Sequence, residues 1–443
     1  MAAEFRSRRN TRATCAVALL MLVIGCASAV GAVEPTPKPV ATPTAGVQPV
    51  KAGYVESPSQ LRPAEVVSTS GIVVCGSEQA SKAGAAVLEA GGNAVDAAVA
   101  AAFALGVTEP MTSGLGAETF ILIREADGRT RAIDGSCYVP SLTRPDELQK
   151  LRDTAPRGYL QDYKSIATPG SLAALAYALE HYGTKSLAEV IAPAIDLAEF
   201  GFKLGVTGDA ELDALAFLLR PHDRLAEVLL KGFTETWGPG HVFCTSDLAE
   251  TLRRIARSGP DEFYRGSIAD QIDADMIRNA GYVRKADLVT LRAIERQPIR
   301  DSYRGLEVVT FPFPGGGASL LELLHILEAF PQKTVQDASL DRLHLLVEAA
   351  RIAWVDNQTS KMPPSLVDRQ LTDRNWAAQR AKLIRFDRAL LPGEISGEIV
   401  EPYMAVGTTQ VSVSPSFWLM VGMTRWPSNS TKVRRSPMLR RLM

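Results

Sequence analysis

Acidic residues are missing from the end of this chain. Between Ser414 and Met443 there is no Asp or Glu, while Arg425, Lys432, Arg434, Arg435, Arg440 and Arg441 all stand there. The whole chain has 48 basic and 49 acidic residues, a formal charge of −1. The rest therefore carries 42 basic residues against 49 acidic ones. A near-neutral total leaves no electrostatic footprint for nucleic acid. Cysteine is also scarce, and five in 443 residues excludes a disulfide-dense scaffold. The five histidines (His181, His222, His241, His325, His344) have no metal-ligand spacing, so neither a metal nor another cofactor is expected. No serine lies in a G-x-S-x-G setting. Gly114-Leu115-Gly116 precedes a strand pattern rather than a helix, so it is no dinucleotide loop. Gly315-Gly316-Gly317 sits between a strand and a helix but lacks the Lys-Ser/Thr of a phosphate loop. It reads as a tight turn or a site wall.

The residues that are present make an ordinary globular composition, 46% apolar and 22% charged. That excludes disorder, collagen-like repeats and a polytopic membrane protein. The first 32 residues read as an export signal. Arg6, Arg8, Arg9 and Arg12 precede an uncharged stretch from Ala13 to Ala32 that ends in small residues. Cleavage after Ala29 or Ala32 is one reading. Lipid attachment at Cys26 is a second, because Val23-Ile24-Gly25-Cys26 is similar to a lipobox. An uncleaved helix is a third. All three export the body, to the periplasm, to the exterior or to a lipid-anchored position. Residues 33–65 begin as a proline-rich, semi-rigid spacer. With the signal removed, Cys75, Cys137 and Cys244 remain, which allows at most one internal bridge.

The body alternates strand and helix patterns. A strand over Gly71–Cys75 leads to a helix capped by Ser77 and stopped at Gly91-Gly92. Asn93 caps an alanine-rich helix that is expected to stop at Gly106. Glu118–Arg124 and Thr130–Asp134 predict a hairpin turning at Asp127-Gly128. Two helices are expected over 170–200 and two over 246–280, broken at Gly259-Pro260. A strand over Leu306–Phe311 precedes a helix over Ala318–Phe330. A helix over Leu340–Asn357, one over 372–388, a loop over 391–407 and a strand over Thr409–Val413 complete the body. Helices packed on sheets imply an α/β or α+β fold.

One stretch is more specific than any of these patterns. Gly71–Gly116 reads GIVVCGSEQASKAGAAVLEAGGNAVDAAVAAAFALGVTEPMTSGLG. It resembles the gamma-glutamyltranspeptidase (glutathione hydrolase) family, whose large subunit opens with a similar run. The resemblance continues at Ala167-Thr-Pro-Gly170, Leu187–Ala198, Gly259–Gly266, Tyr303-Arg-Gly305 and His344–Arg351. It implies an N-terminal-nucleophile hydrolase, an αββα sandwich. Residues 66–407 would form the large subunit and 408–413 the start of the small one. It also implies a precursor that cuts itself before a threonine. Gly407-Thr408-Thr409-Gln410-Val411-Ser412-Val413 is similar to the family's T-T-H-x-S-V, which makes Thr408 the nucleophile and places the cut after Gly407. The implied reaction is transfer or hydrolysis of γ-glutamyl amides such as glutathione. On local sequence alone, the pair Thr408-Thr409 would read as an edge strand.

Three departures qualify what the resemblance implies. Ser136, in Asp134-Gly135-Ser136-Cys137, stands where the family has an arginine that binds the substrate carboxylate. A neutral hydroxyl does not replace a bidentate guanidinium, so another acyl amide is an alternative substrate. Arg131 and Arg144 are the nearest candidates to substitute for it. Gln410 replaces a histidine. After Val413 the chain leaves the family pattern, and only 36 residues follow the expected cut. The small subunit, a partner that self-cleavage should supply, is then largely missing and the sandwich incomplete. The basic tail over 414–443 resembles translation in the wrong frame. Read one base upstream, Phe417–Pro427 can encode L-(A/V)-D-G-x-(N/D)-D-A-V-A, similar to the family's V-V-D-x-D-G-N-A-V-A. The other frame meets a stop at Met423-Thr424. The expectation is an exported transpeptidase-like precursor that is inactive as it stands. The alternatives are a different N-terminal-threonine acylase or a non-catalytic fragment.

Overall fold

The computed structural model describes residues 68, 71–110, 112–204, 229, 240–336, 339–359, 364–396 and 411–414. The signal segment with Cys26, the spacer, Gly407, Thr408, Gln410 and the tail from 415 lie outside the described residues. The described part alternates helices with nine short strands. These are β1 (Ile72–Cys75), β2 (Thr119–Arg124), β3 (Thr130–Gly135), β4 (Phe202–Lys203), β5 (Val242–Phe243), β6 (Ile294–Arg296), β7 (Ile299–Tyr303), β8 (Leu306–Thr310) and β9 (Val411–Ser414). They form the sheets β1-β9, β2-β3-β6, β4-β5 and β7-β8. No described helix is long and apolar enough to cross a membrane.

Local chemistry explains the first elements. Ser77 accepts from Ala80 N and starts the Glu78–Glu89 helix; Gly91, at φ +82°, follows its end. Asn93 accepts from Val95 N and Asp96 N, opening the Ala94–Thr108 helix. That helix does not stop at Gly106. Gly114 Cα lies 3.0 Å from where a Cβ on Gly106 would be, so this glycine serves close approach, not termination. Small residues bury the helix along nearly its whole length in the main core.

Asp96, the third residue after the N-cap Asn93, ties this helix to a distant turn. One carboxylate oxygen accepts from Thr184 N at 2.8 Å and Lys185 N at 3.0 Å. The other accepts from Thr184 Oγ1 and Asn93 N, both at 2.7 Å. The Asn93 amide donates to Tyr182 O at 2.7 Å. The N-A-V-D run is thus a structural clasp.

The hairpin forms as β2 and β3, with Gly128 at φ +89° in the turn. The Ser171–Tyr182 and Leu187–Phe200 helices flank Gly183 as expected. Beyond Gly259-Pro260 the chain makes two helices, Asp261–Tyr264 and Ser267–Arg278, rather than one. The helix expected over 372–388 is shorter, Arg374–Ala381, because the chain turns at Lys382 and Leu383. The Pro392–Ser396 segment is a short helix inside the expected loop. β9 starts at Val411 and pairs antiparallel with β1, Cys75 opposite Val411 and Ile72 opposite Ser414.

A second core joins the Gly317–Glu328, Leu340–Thr359 and Arg374–Ala381 helices. Its wall holds Glu322, which is fully buried. Glu322 Oε1 accepts from Trp376 Nε1 at 2.8 Å, and the carboxyl neighbours Asp356, which Arg380 grips at 2.7 and 2.6 Å. Burial, then the Asp356 charge, push the Glu322 carboxyl well above its usual range. Stability from its proton is full below the ordinary carboxylate range and is lost as pH rises through the folded value. Glu322→Gln keeps an acceptor for Trp376 and has no proton to lose. Its melting temperature relative to wild type should therefore be higher at pH 9 than at pH 5. An unchanged difference between the two pH values would contradict this assignment.

Candidate active site

The site is built around the end of β3. Asp134, on β3 opposite Ile294 of β6, has almost no exposed surface. Its Oδ1 accepts from Ser136 N at 2.9 Å and from the Ser136 hydroxyl. Its Oδ2 accepts from Arg296 Nε at 2.8 Å. Ser136 is itself buried. The serine hydroxyl is bent back onto its own strand and presents no donor to a ligand.

Motif segments far apart in sequence hold this corner. Tyr138 and Thr168 exchange backbone hydrogen bonds at 2.9 Å each. A Cβ on Gly170 would lie 2.3 Å from the carbonyl oxygens of both Gly135 and Ser136. Two glycines let the start of the Ser171–Tyr182 helix press on the β3 end. The Thr119 and Ser171 hydroxyls meet at 2.6 Å. Tyr264 donates to Pro169 O at 3.1 Å and accepts from Ala173 N at 3.0 Å. The segments around Gly135, Gly170 and Tyr264, each part of the family resemblance, therefore converge.

A second cluster lies at the C-terminal end of β1. Glu109 folds against Gly76, where a Cβ would lie 2.5 Å from Glu109 Oε1. The Thr112 hydroxyl reaches Glu109 Oε2 at 3.3 Å. Cys75, at this end, is paired with Val411, the first residue of β9. Its thiol contacts Ser81 Oγ at 2.9 Å, and burial pushes the thiol up from its ordinary range. Cys75, Cys137 and Cys244 are all free thiols, so none of the bridges that the cysteine count allows is formed among them.

Of the residues singled out from sequence, Ser136 is described, whereas Thr408, Gly407 and Cys26 lie outside the described residues. Neither suggested substitute for the family's arginine faces Ser136. Arg131 pairs with Glu125 at 2.8 Å and Glu295 at 3.1 Å. Arg144 precedes the Pro145–Thr154 helix and acts on Glu147 and Tyr282. The cation that does reach this corner is Arg296, which sequence reading passed over. Its partner Asp134 lies 162 positions away, so only the β3-β6 pairing shows the connection. Asp368 was also passed over. It accepts from Phe313 N at 3.0 and 2.9 Å. Burial pushes its carboxyl up to about 6, against the pull of the Phe313 N–H and Arg296. Gly315-Gly316-Gly317 is a tight turn, with Gly315 N bonded to Pro312 O at 2.7 Å. Among the described residues no group of His, Cys, Asp and Glu could hold a metal.

These features can be set beside known proteins. Residues 80–426 match the family model described as Gamma-glutamyltranspeptidase. The glutathione hydrolase proenzyme of Escherichia coli (strain K12) is 35% identical over 357 residues, covering 79% of this chain and 61% of that protein. The acylase ACY 1 proenzyme of Pseudomonas sp. (strain SE83) is 37% identical over 368 residues, covering 80% of this chain and 65% of that one. The chain therefore spans less than two thirds of the length of these relatives. Among solved structures, the Helicobacter pylori gamma-glutamyltranspeptidase superposes with a TM-score of 0.68 at 29% identity, over 75% of this chain and 97% of that one. The fold is the N-terminal-nucleophile hydrolase fold of these neighbours. The matched span, the convergent motif segments and the superposition agree: this chain belongs to the gamma-glutamyltranspeptidase family.

Proposed function

We propose that this chain is the precursor of an amide-cleaving acyl transferase or hydrolase whose nucleophile is Thr408, released as a new N-terminus by cleavage after Gly407. The observation that carries the reading is β9. It begins three residues after Thr408 and pairs with β1, next to the Glu109 turn of the most family-like stretch. A threonine hydroxyl is a weak nucleophile and needs a base. Once the preceding peptide bond is cut, the residue's own α-amine, with an ordinary pKa near 8, supplies that base. The same hydroxyl, attacking the Gly407 carbonyl, accounts for the cut.

Ser136 favours a second reading of the substrate. Its hydroxyl is bonded to Asp134 and buried, so the position that carries the family's carboxylate-binding arginine offers no cation here. The acylase among the relatives is in keeping with an acyl group other than γ-glutamyl. Glutathione and related γ-glutamyl amides remain the first substrates to test. The leader, with Arg6–Arg12 and a possible lipid site at Cys26, supports export; cell fractionation with and without Cys26→Ser would test it.

We read the segment after Val413 as a shifted frame, and on that proposal the function is tested in a chain recoded there to continue in the alternative frame. Amide hydrolysis by that protein should fall about a thousandfold or more in Thr408→Ala. Equal turnover by the two would contradict the assignment.

A further inference from the structure

The buried charges of the Leu340–Thr359 helix converge on one short stretch of chain, Leu390–Ile395. Glu348 Oε2 accepts from Leu390 N at 3.1 Å, and Arg351 Nη2 donates to Leu390 O at 2.8 Å. Glu348 and Arg351 are themselves paired, so one ion pair takes both backbone groups of one residue. Asp356 holds Arg380 of the Arg374–Ala381 helix, and Arg380 Nη2 donates to Ile395 O at 2.8 Å. The side chains of Glu348 and Asp356 are 2% and 7% exposed. Leu390 and Ile395 bury their own side chains in the second core. Buried ion pairs add little net stability over apolar packing, but they can fix geometry. What they fix here is the backbone of 390–395, at the end of the described chain ahead of Gly407 and Thr408.

A proton belongs to this clasp. The Glu322 and Asp356 carboxyls are hydrogen-bonded to each other, and two ionised carboxylates have no donor to offer. Glu322 Oε2 is buried and meets no fixed N–H or O–H donor among the described residues. One shared proton therefore completes the ring Trp376–Glu322–Asp356–Arg380, in which the Arg380 guanidinium lies 5.3 Å from the Trp376 ring centroid. Burial raises both carboxyls above their ordinary range. The charges that face Glu322 are Asp356 and Arg380. On the other elements packed against its helix, Asp301 of β7 pairs with Arg374 at 3.0 Å, and Asp368 of the Pro364–Leu371 helix accepts from Phe313 N.

Resting on the reading that the chain is cut before Thr408, we infer that Leu390–Ile395 is a strap fastened by a proton. The proton shared by Glu322 and Asp356 keeps Arg380 on Ile395 O, and its loss lets go of the chain that leads to the cut. With the proton gone, two buried carboxylates face one guanidinium, which turns toward them and leaves the Ile395 carbonyl. Leu390, held by the separate Glu348–Arg351 pair, marks the other end of the strap. The hold is full at acidic pH and is lost as pH rises through the folded value of the pair.

Hydrogen exchange on the 443-residue chain at pH 5 and pH 9 tests this, with labelling times scaled to intrinsic exchange rates. Protection of peptides covering 390–396 should be lower at pH 9 by roughly 10- to 150-fold, the range for hydrogen bonds to charged groups. Peptides from the Ala94–Thr108 helix, in the main core, should keep theirs. Glu322→Gln can accept from Trp376 and donate to Asp356 without a titrating proton, so its strap should stay protected at both pH values. Arg380→Lys keeps a cation beside Asp356 but loses the fork, so its strap should be exposed at both. Equal wild-type protection at the two pH values, the same loss in Glu322→Gln, equal loss across the Ala94–Thr108 helix, or full strap protection in Arg380→Lys would overturn the inference. Thr408 takes no part in the readout, so failure of the nucleophile assignment and failure of this one are separable.

Discussion

Gly170→Ala should be among the most destabilising single substitutions in the described chain, costing about 3 kcal/mol or more. The added Cβ would stand 2.3 Å from two backbone carbonyl oxygens, those of Gly135 and Ser136. Neither belongs to a side chain that can rotate away. Relief requires moving the end of β3 or the start of the Ser171–Tyr182 helix. Those same atoms carry the Asp134–Ser136–Arg296 corner, so overpacking at the upper end of its usual cost is expected. Gly393→Ala is the control. A Cβ there meets nothing within 4 Å, and alanine in the Pro392–Ser396 helix should be neutral or mildly stabilising. Denaturant unfolding of both variants checks the prediction. Similar midpoints for the two would show that the β3 corner yields easily.

Asp96→Ala should cost about 2–4 kcal/mol at pH 7. It removes four hydrogen bonds from a fully buried carboxylate and frees the Thr184 turn from the Ala94–Thr108 helix. Burial alone would raise this carboxyl. The bonds from Thr184, Lys185 and Asn93 outweigh burial and hold it below the usual carboxylate range. The sign follows. The folded value lies below the unfolded one, so the stabilisation is present above the ordinary pKa near 4. It is lost as pH falls through the folded value. The gap between wild type and Asp96→Ala should be full at pH 7 and shrink below about pH 4. A gap that stays constant down to pH 3 would mean that the carboxylate charge does not matter here.

Local elements were legible where a local signal sets them. Ser77 and Asn93 cap the helices expected of them, and Asp127-Gly128 turns the expected hairpin. Gly106 misled because a glycine can end a helix or let another backbone come close, and only the approach of Gly114 distinguishes the two. The helix expected over 372–388 was too long because its apolar spacing continues past Ala381, whereas the chain turns at Lys382. The site was legible only in part. Ser136 could be placed from its motif, but its bond to Asp134 depends on a two-residue turn of the backbone. Arg296 could not be found at all, since its role rests on β6 joining β3 from 162 residues away. Asp96 read as part of a family run, yet its partners at Thr184 and Lys185 appear only once two helices are packed together.

The central claim is that Thr408 is the residue a self-cutting precursor exposes. The direct measurement is the intact mass and N-terminal residue of the fragments from the chain recoded as proposed above, beside its Thr408→Ala counterpart. The account predicts two fragments, the smaller beginning at Thr408, and an uncut Thr408→Ala chain. A recoded chain that stays whole, a fragment beginning at another residue, or the same cut in Thr408→Ala would contradict it.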